Sequence, residues 1–180
     1  MTRTEQNVIW QSKSSWRLVT EEVAVAAGPP LTRGYIDHPG SVVLAPVQAG
    51  AVIMLAQYRL ALKQSILELP AGTRGWDEDW LVCAQRELRE ETGLRAQQFV
   101  PLGAIWAAPG LSNEEMRLFL ALGLTVDPLP MDVDEVIEIR PIPLDTLVRQ
   151  ALNGELADAK SAIAILRAAA FLQHPFPTNL

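Results

Sequence analysis

Three glutamates near the middle of the chain have the residue type and spacing of a metal site. Glu87, Glu90 and Glu91 lie three and four positions apart, so on a helix their carboxylates share one face. Such carboxylates repel one another and repel phosphate. A bound divalent cation would instead make the site attract an anion. Hard oxygen ligands favour Mg²⁺, which is shared between a few carboxylates and substrate phosphates and helps to generate hydroxide from water.

A solvated acidic helix face is the alternative interpretation of the same glutamates. Like charges at this spacing cost only about 0.2–0.5 kcal/mol per pair, so a stable helix can carry them without any function. The neighbouring residues decide between the two.

The residues around the glutamates predict a helix over residues 78–92. An apolar stripe with helical spacing faces inward at Leu81, Ala84 and Leu88. Arg86 lies four positions before Glu90 and can brace its carboxylate. Glu78 falls in the first turn, where an acid is favoured as a cap or brace. Gly93 ends the helix, because the residue after a helix often takes a positive φ.

Together with its flanking glycines, this segment resembles the Nudix box, G-x5-E-x7-R-E-U-x-E-E-x-G-U, where U is aliphatic. The matching positions are Gly72, Glu78, Arg86, Glu87, Leu88, Glu90, Glu91, Gly93 and Leu94. The resemblance to Nudix hydrolases implies that Arg86 and the three glutamates are catalytic. It also implies a three-layer α/β/α sandwich, the same α/β fold class that the mixed order of strands and helices indicates.

Further motifs resemble one branch of that family, the ADP-ribose pyrophosphatases, over nearly the whole chain. They are His38-Pro39-Gly40, Gln57-Tyr58-Arg59, Glu68-Leu69-Pro70-Ala71-Gly72, Pro109-Gly110 and Asp158-Ala159-Lys160. The likeness implies cleavage of ADP-ribose, or a related nucleoside diphosphate sugar, into AMP and ribose 5-phosphate. It implies Mg²⁺, with Mn²⁺ as a possible substitute, held by the Ala71 carbonyl, Glu87 and Glu91, with Glu90 helping to hold a second ion.

The branch also suggests which residues bind the substrate. Arg59, at a strand end, suits a diphosphate contact because guanidinium pairs with phosphate oxygens in bidentate geometry; the alternative is a salt bridge with Glu68, which is assigned to the same site. Arg33 and Trp16 fall where the family's N-terminal sheet stacks on adenine, and such stacking is physically reasonable. The alternative for Trp16 is a core or interface position, which is where most tryptophans of a small protein lie.

The catalytic base in this branch comes from a mobile loop after the box. The acidic loop here makes Glu135 the first choice, with Glu138 and Glu115 behind it and an ordinary solvated loop acid as the alternative. Geometry decides, since a base must reach the attacking water within about 3 Å or through one further water.

Composition limits the remaining possibilities. A chain of 180 residues that is 49% hydrophobic predicts one domain with an extension: residues 1–38 form an N-terminal β-sheet extension and residues 39–180 the Nudix domain. The resemblance implies a homodimer in which these N-terminal sheets swap. A net charge of −6 argues against non-specific binding to nucleic acid. Two histidines exclude a three-histidine zinc site, and Cys83 is expected to be a small buried hydrophobe rather than a nucleophile.

The sequence also predicts the compartment and the order of elements. One cysteine, no signal-like N-terminus and no long apolar run favour a soluble cytoplasmic protein without a membrane partner. Strands are expected at residues 16–25, 33–36, 41–46, 51–58, 99–107, 116–122 and 137–141, and the last two helices at residues 144–152 and 158–173. Strands at residues 41–46 and 51–58 are expected to form a hairpin.

Two other functions remain open. Another nucleotide sugar, such as GDP-mannose, is a possible substrate because base recognition lies outside the box. A domain that senses a nucleotide without cleaving it is disfavoured, since a sensor has no need of the intact arginine and glutamates.

Overall fold

The computed structural model describes residues 6–12, 16–130 and 136–174 of the chain. Its strands are β1 (Asn7–Gln11), β2 (Arg17–Val23), β3 (Leu31–Asp37), β4 (Ser41–Gln48), β5 (Ala51–Arg59), β6 (Gln64–Glu68), β7 (Ala71–Thr73), β8 (Leu94–Arg95), β9 (Gln98–Trp106), β10 (Glu115–Leu122), β11 (Thr125–Val126) and β12 (Ile137–Pro143). Its helices are α1 (Trp80–Thr92), α2 (Leu144–Asn153) and α3 (Ala159–Gln173).

A mixed sheet forms the middle layer. Its main path runs β12-β5-β4-β10-β9, with β6 paired to β5 and β7 paired to β4. Strands β4 and β10 are parallel, and the other pairings are antiparallel. Strands β1, β2 and β3 form a separate sheet, and β8 pairs with β11.

Strand β4 shows how the sequence builds three layers. Successive side chains of a strand point to opposite faces, and this strand is apolar on both. Val42 and Leu44 pack in a cluster with residues of α1, including Leu88. Val43 and Ala45 pack in the other cluster, with residues of α2 and α3. All four are fully buried, and a buried side chain of this kind contributes about 1.5–3 kcal/mol. The predicted α/β/α sandwich with a mixed sheet is confirmed.

The predicted hairpin of β4 and β5 is confirmed only at its tip. The two strands pair at Val47–Val52 and Gln48–Ala51 and then separate. Beyond that point β6 pairs with β5, and β7 pairs with β4, so both short strands lie in the gap. The Leu44 amide donates to the Pro70 carbonyl at 2.9 Å. Pro70 and the start of β7 are thereby held at the centre of the sheet.

Helix boundaries follow the sequence with one correction. Helix α1 begins at Trp80, and its N-cap is Asp79, whose carboxylate accepts from the Leu81 and Val82 amides. Glu78 therefore does not cap the helix and has only the bracing role. Gly93 ends α1 with a φ of 71°. Asp158 caps α3 through the Ser161 amide, as predicted.

The N-terminal sheet, formed by β1, β2 and β3, contacts the rest of the chain at the loop before β10 and, through Arg17 on the ring of Trp76, at the segment before α1. The Ile36 amide donates to the Leu111 carbonyl at 2.9 Å, and the Asn113 side chain donates to Asp37 at 2.8 Å. Many of its apolar side chains are exposed, among them Val8, Ile9, Trp10, Leu18, Val23 and Leu31. Within the described ranges, no helix is long and apolar enough to cross a membrane.

Candidate active site

A cleft of about 330 Å³ opens where β6 and β7 lie between β4 and β5. Arg59 and Glu68 come from the ends of β5 and β6, and Ala71, Gly72 and Thr73 form β7. Other residues reach the cleft from β4, from β10 and the loop before it, and from the start of α3: Ser41, Glu114, Met116, Asp158, Ala159 and Lys160. The sequence motifs before the box and near the C-terminus therefore meet at one site.

Beside this cleft, the Arg86 guanidinium holds three carboxylates. Its Nε and Nη2 donate to the two oxygens of Glu78 at 2.9 and 3.0 Å. Its Nη1 donates to Glu87 at 2.6 Å and to Glu90 at 2.9 Å. The hydrogen bonds from Arg86 lower the pKa of Glu78 to about 2, and the same bonds raise the pKa of Arg86. These acids are bound to a cation, which argues against the interpretation as a solvated face.

Gly72 allows the box helix to approach β7 closely. A Cβ added to Gly72 would lie 1.9 Å from the Glu87 carboxyl carbon and 2.1 and 2.2 Å from its oxygens. A side chain there would force the Glu87 carboxylate out of this position, because real Cβ atoms essentially never come within 3.0 Å of another heavy atom. The first glycine of the box is required for this close approach.

Glu91 joins the helix to the same strand. The Ala71 amide donates to Glu91 Oε2 at 2.8 Å, and Glu91 is only 2% exposed. A box carboxylate is thereby fixed against the residue whose carbonyl is the predicted metal ligand.

The donors around Ala71 fit a hard divalent cation in their chemistry. Three carboxylates and a carbonyl form an all-oxygen set, which Mg²⁺ prefers. Glu87 and Glu90 both reach one cationic atom, Arg86 Nη1, so this helix face holds positive charge. In the described part of the chain, no three acid, histidine or cysteine side chains are grouped as a metal site. The four metal ligands stay a prediction.

The two interpretations of Arg59 are compatible in the structure. Its Nε and Nη2 both donate to the Glu68 carboxylate at 2.7 Å, and both residues line the cleft. Burial lowers the pKa of Arg59, but the Glu68 carboxylate more than offsets this and raises it. Glu68 is fully buried and also accepts from Lys160 Nζ at 2.6 Å.

Arg33 and Trp16 are not brought to the cleft within one chain. Arg33 is exposed on β3 and donates to the Thr32 carbonyl at 3.2 Å. The ring of Trp16 packs against that of Trp10, with centroids 4.8 Å apart. Their assignment to the adenine contact stays a prediction that depends on a second chain.

The catalytic base is not located by the structure. Glu135 lies outside the described residues. Glu138 is exposed on β12 and pairs with Arg140 at 2.8 Å, and Glu115 pairs with Arg117 at 2.7 Å. Neither of these two lines the cleft.

Sequence reasoning gave no role in the site to several polar residues that line the cleft, among them Ser41, Glu114 and Lys160. Glu114 accepts from the Ser41 hydroxyl at 2.7 Å, and no pattern in the sequence pointed to either. Lys160 belongs to the motif Asp158-Ala159-Lys160, but the sequence did not indicate what this lysine does. Its partners, Glu68 and Asp158, are known only from the fold.

Cys83 lies under the box helix as a core residue. It is fully buried and accepts a weak hydrogen bond from Arg86 Nη2 at 3.6 Å. Burial raises the pKa of its thiol, as expected for a small hydrophobe rather than a nucleophile.

We expect Glu78→Gln to lower stability at neutral pH and to remove part of the acid sensitivity. The Glu78 pKa falls from an ordinary 4.5 to about 2 on folding. A depressed acid pKa stabilises the fold above the unfolded value, by up to about 3 kcal/mol. That stability is lost as pH falls from 4.5 towards 2. Urea unfolding across this range should show the two proteins converging as pH falls; a constant difference would contradict the ion-pair explanation.

Comparison with known proteins assigns the family. The sequence profile of the NUDIX domain matches residues 38–163. An ADP-ribose pyrophosphatase from Bacillus subtilis is 36% identical over 151 residues, which is 82% of this chain and 82% of that protein. A methanol dehydrogenase activator from Bacillus methanolicus is 33% identical over 152 residues, 83% of this chain and 82% of that protein.

A solved structure supports the fold. The crystal structure of an ADP compounds hydrolase superposes with a TM-score of 0.74 at 20% identity, covering 96% of this chain and 95% of the other. The profile match and the sequence relatives, taken with the intact box on α1, show that the chain belongs to the Nudix hydrolase family.

Proposed function

We propose that the protein is a Mg²⁺-dependent hydrolase that cleaves the diphosphate linkage of ADP-ribose, or of a closely related nucleoside diphosphate sugar. The products are AMP and ribose 5-phosphate. The observation that carries the proposal is the meeting of two kinds of group at β7. The box acids contact Ala71 and Gly72, and the cations Arg59 and Lys160 line the cleft beside them.

The names of the relatives support ADP-ribose as the substrate, but the relatives do not all carry the same name. The B. subtilis relative is named for ADP-ribose, and its 36% identity extends over most of both chains. The B. methanolicus relative is named for the activation of a dehydrogenase. The box does not determine which base is recognised, because base recognition lies outside it. The activity assay must therefore compare several nucleotide sugars.

In the proposed mechanism, Glu87, Glu91 and the Ala71 carbonyl would hold the metal, and Glu90 would help to hold a second ion. When bound, Mg²⁺ polarises phosphoryl oxygens and makes bound water more acidic. Gly72 lets Glu87 pack against the backbone of β7, and the Ala71 amide orients Glu91. Arg59 contacts the diphosphate with the guanidinium protons that Glu68 does not use, because five N–H donors exceed the two that form the ion pair.

Arg86 supports this arrangement without contacting the substrate. It neutralises Glu78, Glu87 and Glu90 in part and keeps the helix face from repelling phosphate. The catalytic base remains assigned to Glu135, on the strength of the family resemblance.

We expect the wild-type protein to release AMP from ADP-ribose in the presence of Mg²⁺, and Glu91→Gln to reduce kcat roughly 100-fold or more. That is the upper end of the effect of groups that only support metal ligands. The matched control is Glu155→Gln, an exposed acid bonded to Asn153, which should keep full activity. Chromatography of the products, with GDP-mannose among the substrates, identifies the linkage that is cut.

The other outcomes of this assay are informative. A higher kcat/KM for GDP-mannose than for ADP-ribose would reassign the substrate. Tight binding of ADP-ribose with no turnover in Mg²⁺ or Mn²⁺ would make the protein a sensor. Full activity in Glu91→Gln would refute the proposed metal site.

We expect Gly72→Ala to abolish most of the activity because the added Cβ collides with the Glu87 carboxylate. Gly110→Ala is the control, since a Cβ there meets nothing within 4 Å. Steady-state kinetics and thermal melting of both variants separate a displaced carboxylate from a general loss of folding. An active Gly72→Ala would show that Glu87 need not pack on β7.

We further propose a homodimer in which residues 1–38 act as a swapped extension. The apolar side chains of the N-terminal sheet are exposed in the single chain, including Ile9 at 56% and Trp10 at 51%. Exposed apolar surface of this kind is typical of an interface. Exchange of the sheets would supply Arg33 and Trp16 to the partner's cleft.

We expect light scattering to give the mass of two chains at micromolar concentration. Ile9→Glu should shift the protein towards monomer, because a charge would then be buried in the interface. Val126→Glu, at a side chain that is 82% exposed on β11, is the control and should leave the mass unchanged. A wild-type monomer would refute the proposal.

A further inference from the structure

We propose that Lys160 is a positioning residue for phosphate binding: it shares the charge of Glu68 and thereby leaves Arg59 with a positive charge to present to the substrate. The inference rests on the proposed function in one respect, the contact between Arg59 and a diphosphate. It adds a residue from α3, outside the box.

Glu68 is bound by cations from two elements. Arg59 contributes both Nε and Nη2 to its carboxylate at 2.7 Å, and Lys160 contributes Nζ to Oε2 at 2.6 Å. The carboxylate is fully buried. A buried carboxylate needs a counter-ion, and here one of the two comes from the first turn of α3.

The charges show what Lys160 adds. Arg59 and Lys160 carry two positive charges against the negative charges of Glu68 and Asp158, so these four groups together have no net formal charge. Without Lys160, the remaining three groups have a net formal charge of −1. A group with net negative charge repels a diphosphate, whereas a neutral group leaves Arg59 able to attract it. Arg59, Glu68 and Lys160 all line the cleft.

The Lys160 ammonium group is also held in place by a residue of its own helix terminus. Lys160 Nζ donates to Asp158, the N-cap of α3, at 2.9 Å. The Leu69 amide donates to the Ser161 hydroxyl at 2.7 Å, which ties the first turn of α3 to the chain just before β7. Lys160 is therefore fixed relative to the strand that carries Ala71 and Gly72.

These groups also lie close to the box acids. Glu91 accepts from the Ala71 amide at 2.8 Å, and Ala71 lines the same cleft as Arg59, Glu68 and Lys160. Loss of Lys160 would leave negative charge in excess beside the place where a phosphate must bind.

The test compares Lys160→Met and Lys160→Arg with Lys63→Met. Lys63 lies in the exposed turn between β5 and β6, so its removal takes one lysine charge from elsewhere on the surface. KM and kcat are measured with ADP-ribose and Mg²⁺. The dissociation constant of inorganic pyrophosphate is measured by NMR titration in EDTA, where neither turnover nor metal contributes.

We expect Lys160→Met to raise both KM and the pyrophosphate dissociation constant about tenfold, with kcat nearly unchanged because the contact with phosphate is present before and during the reaction. Lys160→Arg should restore both constants nearly to wild-type values, since it returns the charge. Lys63→Met should change neither. If Lys160→Met does not fold, Lys160→Gln, which keeps a donor to Glu68 without the charge, should show the same increases.

Several results would overturn the inference. Unchanged KM and pyrophosphate affinity in the uncharged variants would do so. A Lys160→Arg protein as impaired as Lys160→Met would mean that Lys160 contacts the substrate directly. Failure of the proposed function would give a different result. A wild-type protein that binds pyrophosphate in a manner dependent on Lys160, but does not cleave ADP-ribose, would refute ADP-ribose as the substrate and support the role of Lys160.

Discussion

The ion-pair cluster of Arg86 is the interaction on which the site depends. Glu78, Glu87 and Glu90 lie around one guanidinium, and without it these largely buried acids would repel one another. Buried charges persist only when they are paired. The box pattern keeps an arginine next to its glutamates because the arginine makes their grouping stable.

The gap between β4 and β5 brings the rest of the site to these acids. Two strands joined by a tight turn would ordinarily pair along their length, but here they pair at only two positions. The polypeptide of β6 and β7 fills the space between them. Residues from the end of β5, from β7 and from the start of α3 consequently surround one cleft. The fold thereby joins a motif that precedes the box to one that begins 64 residues after it, at Asp158.

The parts of the fold that depend on local physics could be predicted from the sequence. The C-terminus of α1 and the N-terminus of α3 can be recognised from Gly93 and Asp158, whose capping roles are set by their own backbone and side-chain chemistry. Apolar strands such as β4 could be recognised because both faces are buried. The separation of β4 from β5 could not be predicted, since it depends on pairings with strands distant in sequence.

The candidate site likewise has a part that local sequence patterns predict and a part that depends on the tertiary fold. Helical periodicity places Arg86 four positions before Glu90 and next to Glu87, so the ion pairs of these two glutamates with the arginine follow from local geometry. The placement of Glu114, Ser41 and Lys160 on the cleft could not, because each comes from a different element and only the sheet topology brings them together. The position of Arg33 and Trp16 depends on whether the N-terminal sheet contacts another chain, which local patterns cannot decide.

The burial of Cys83 has a practical consequence. It is the single cysteine of the chain, and it lies on the inner face of the box helix among buried residues. Its raised pKa keeps the side chain in the unreactive thiol form. An alkylating reagent can therefore reach it only when that helix lifts from the sheet. The rate of alkylation would report local opening of the box helix, and a ligand that holds this helix against the sheet would slow it, without any engineered label.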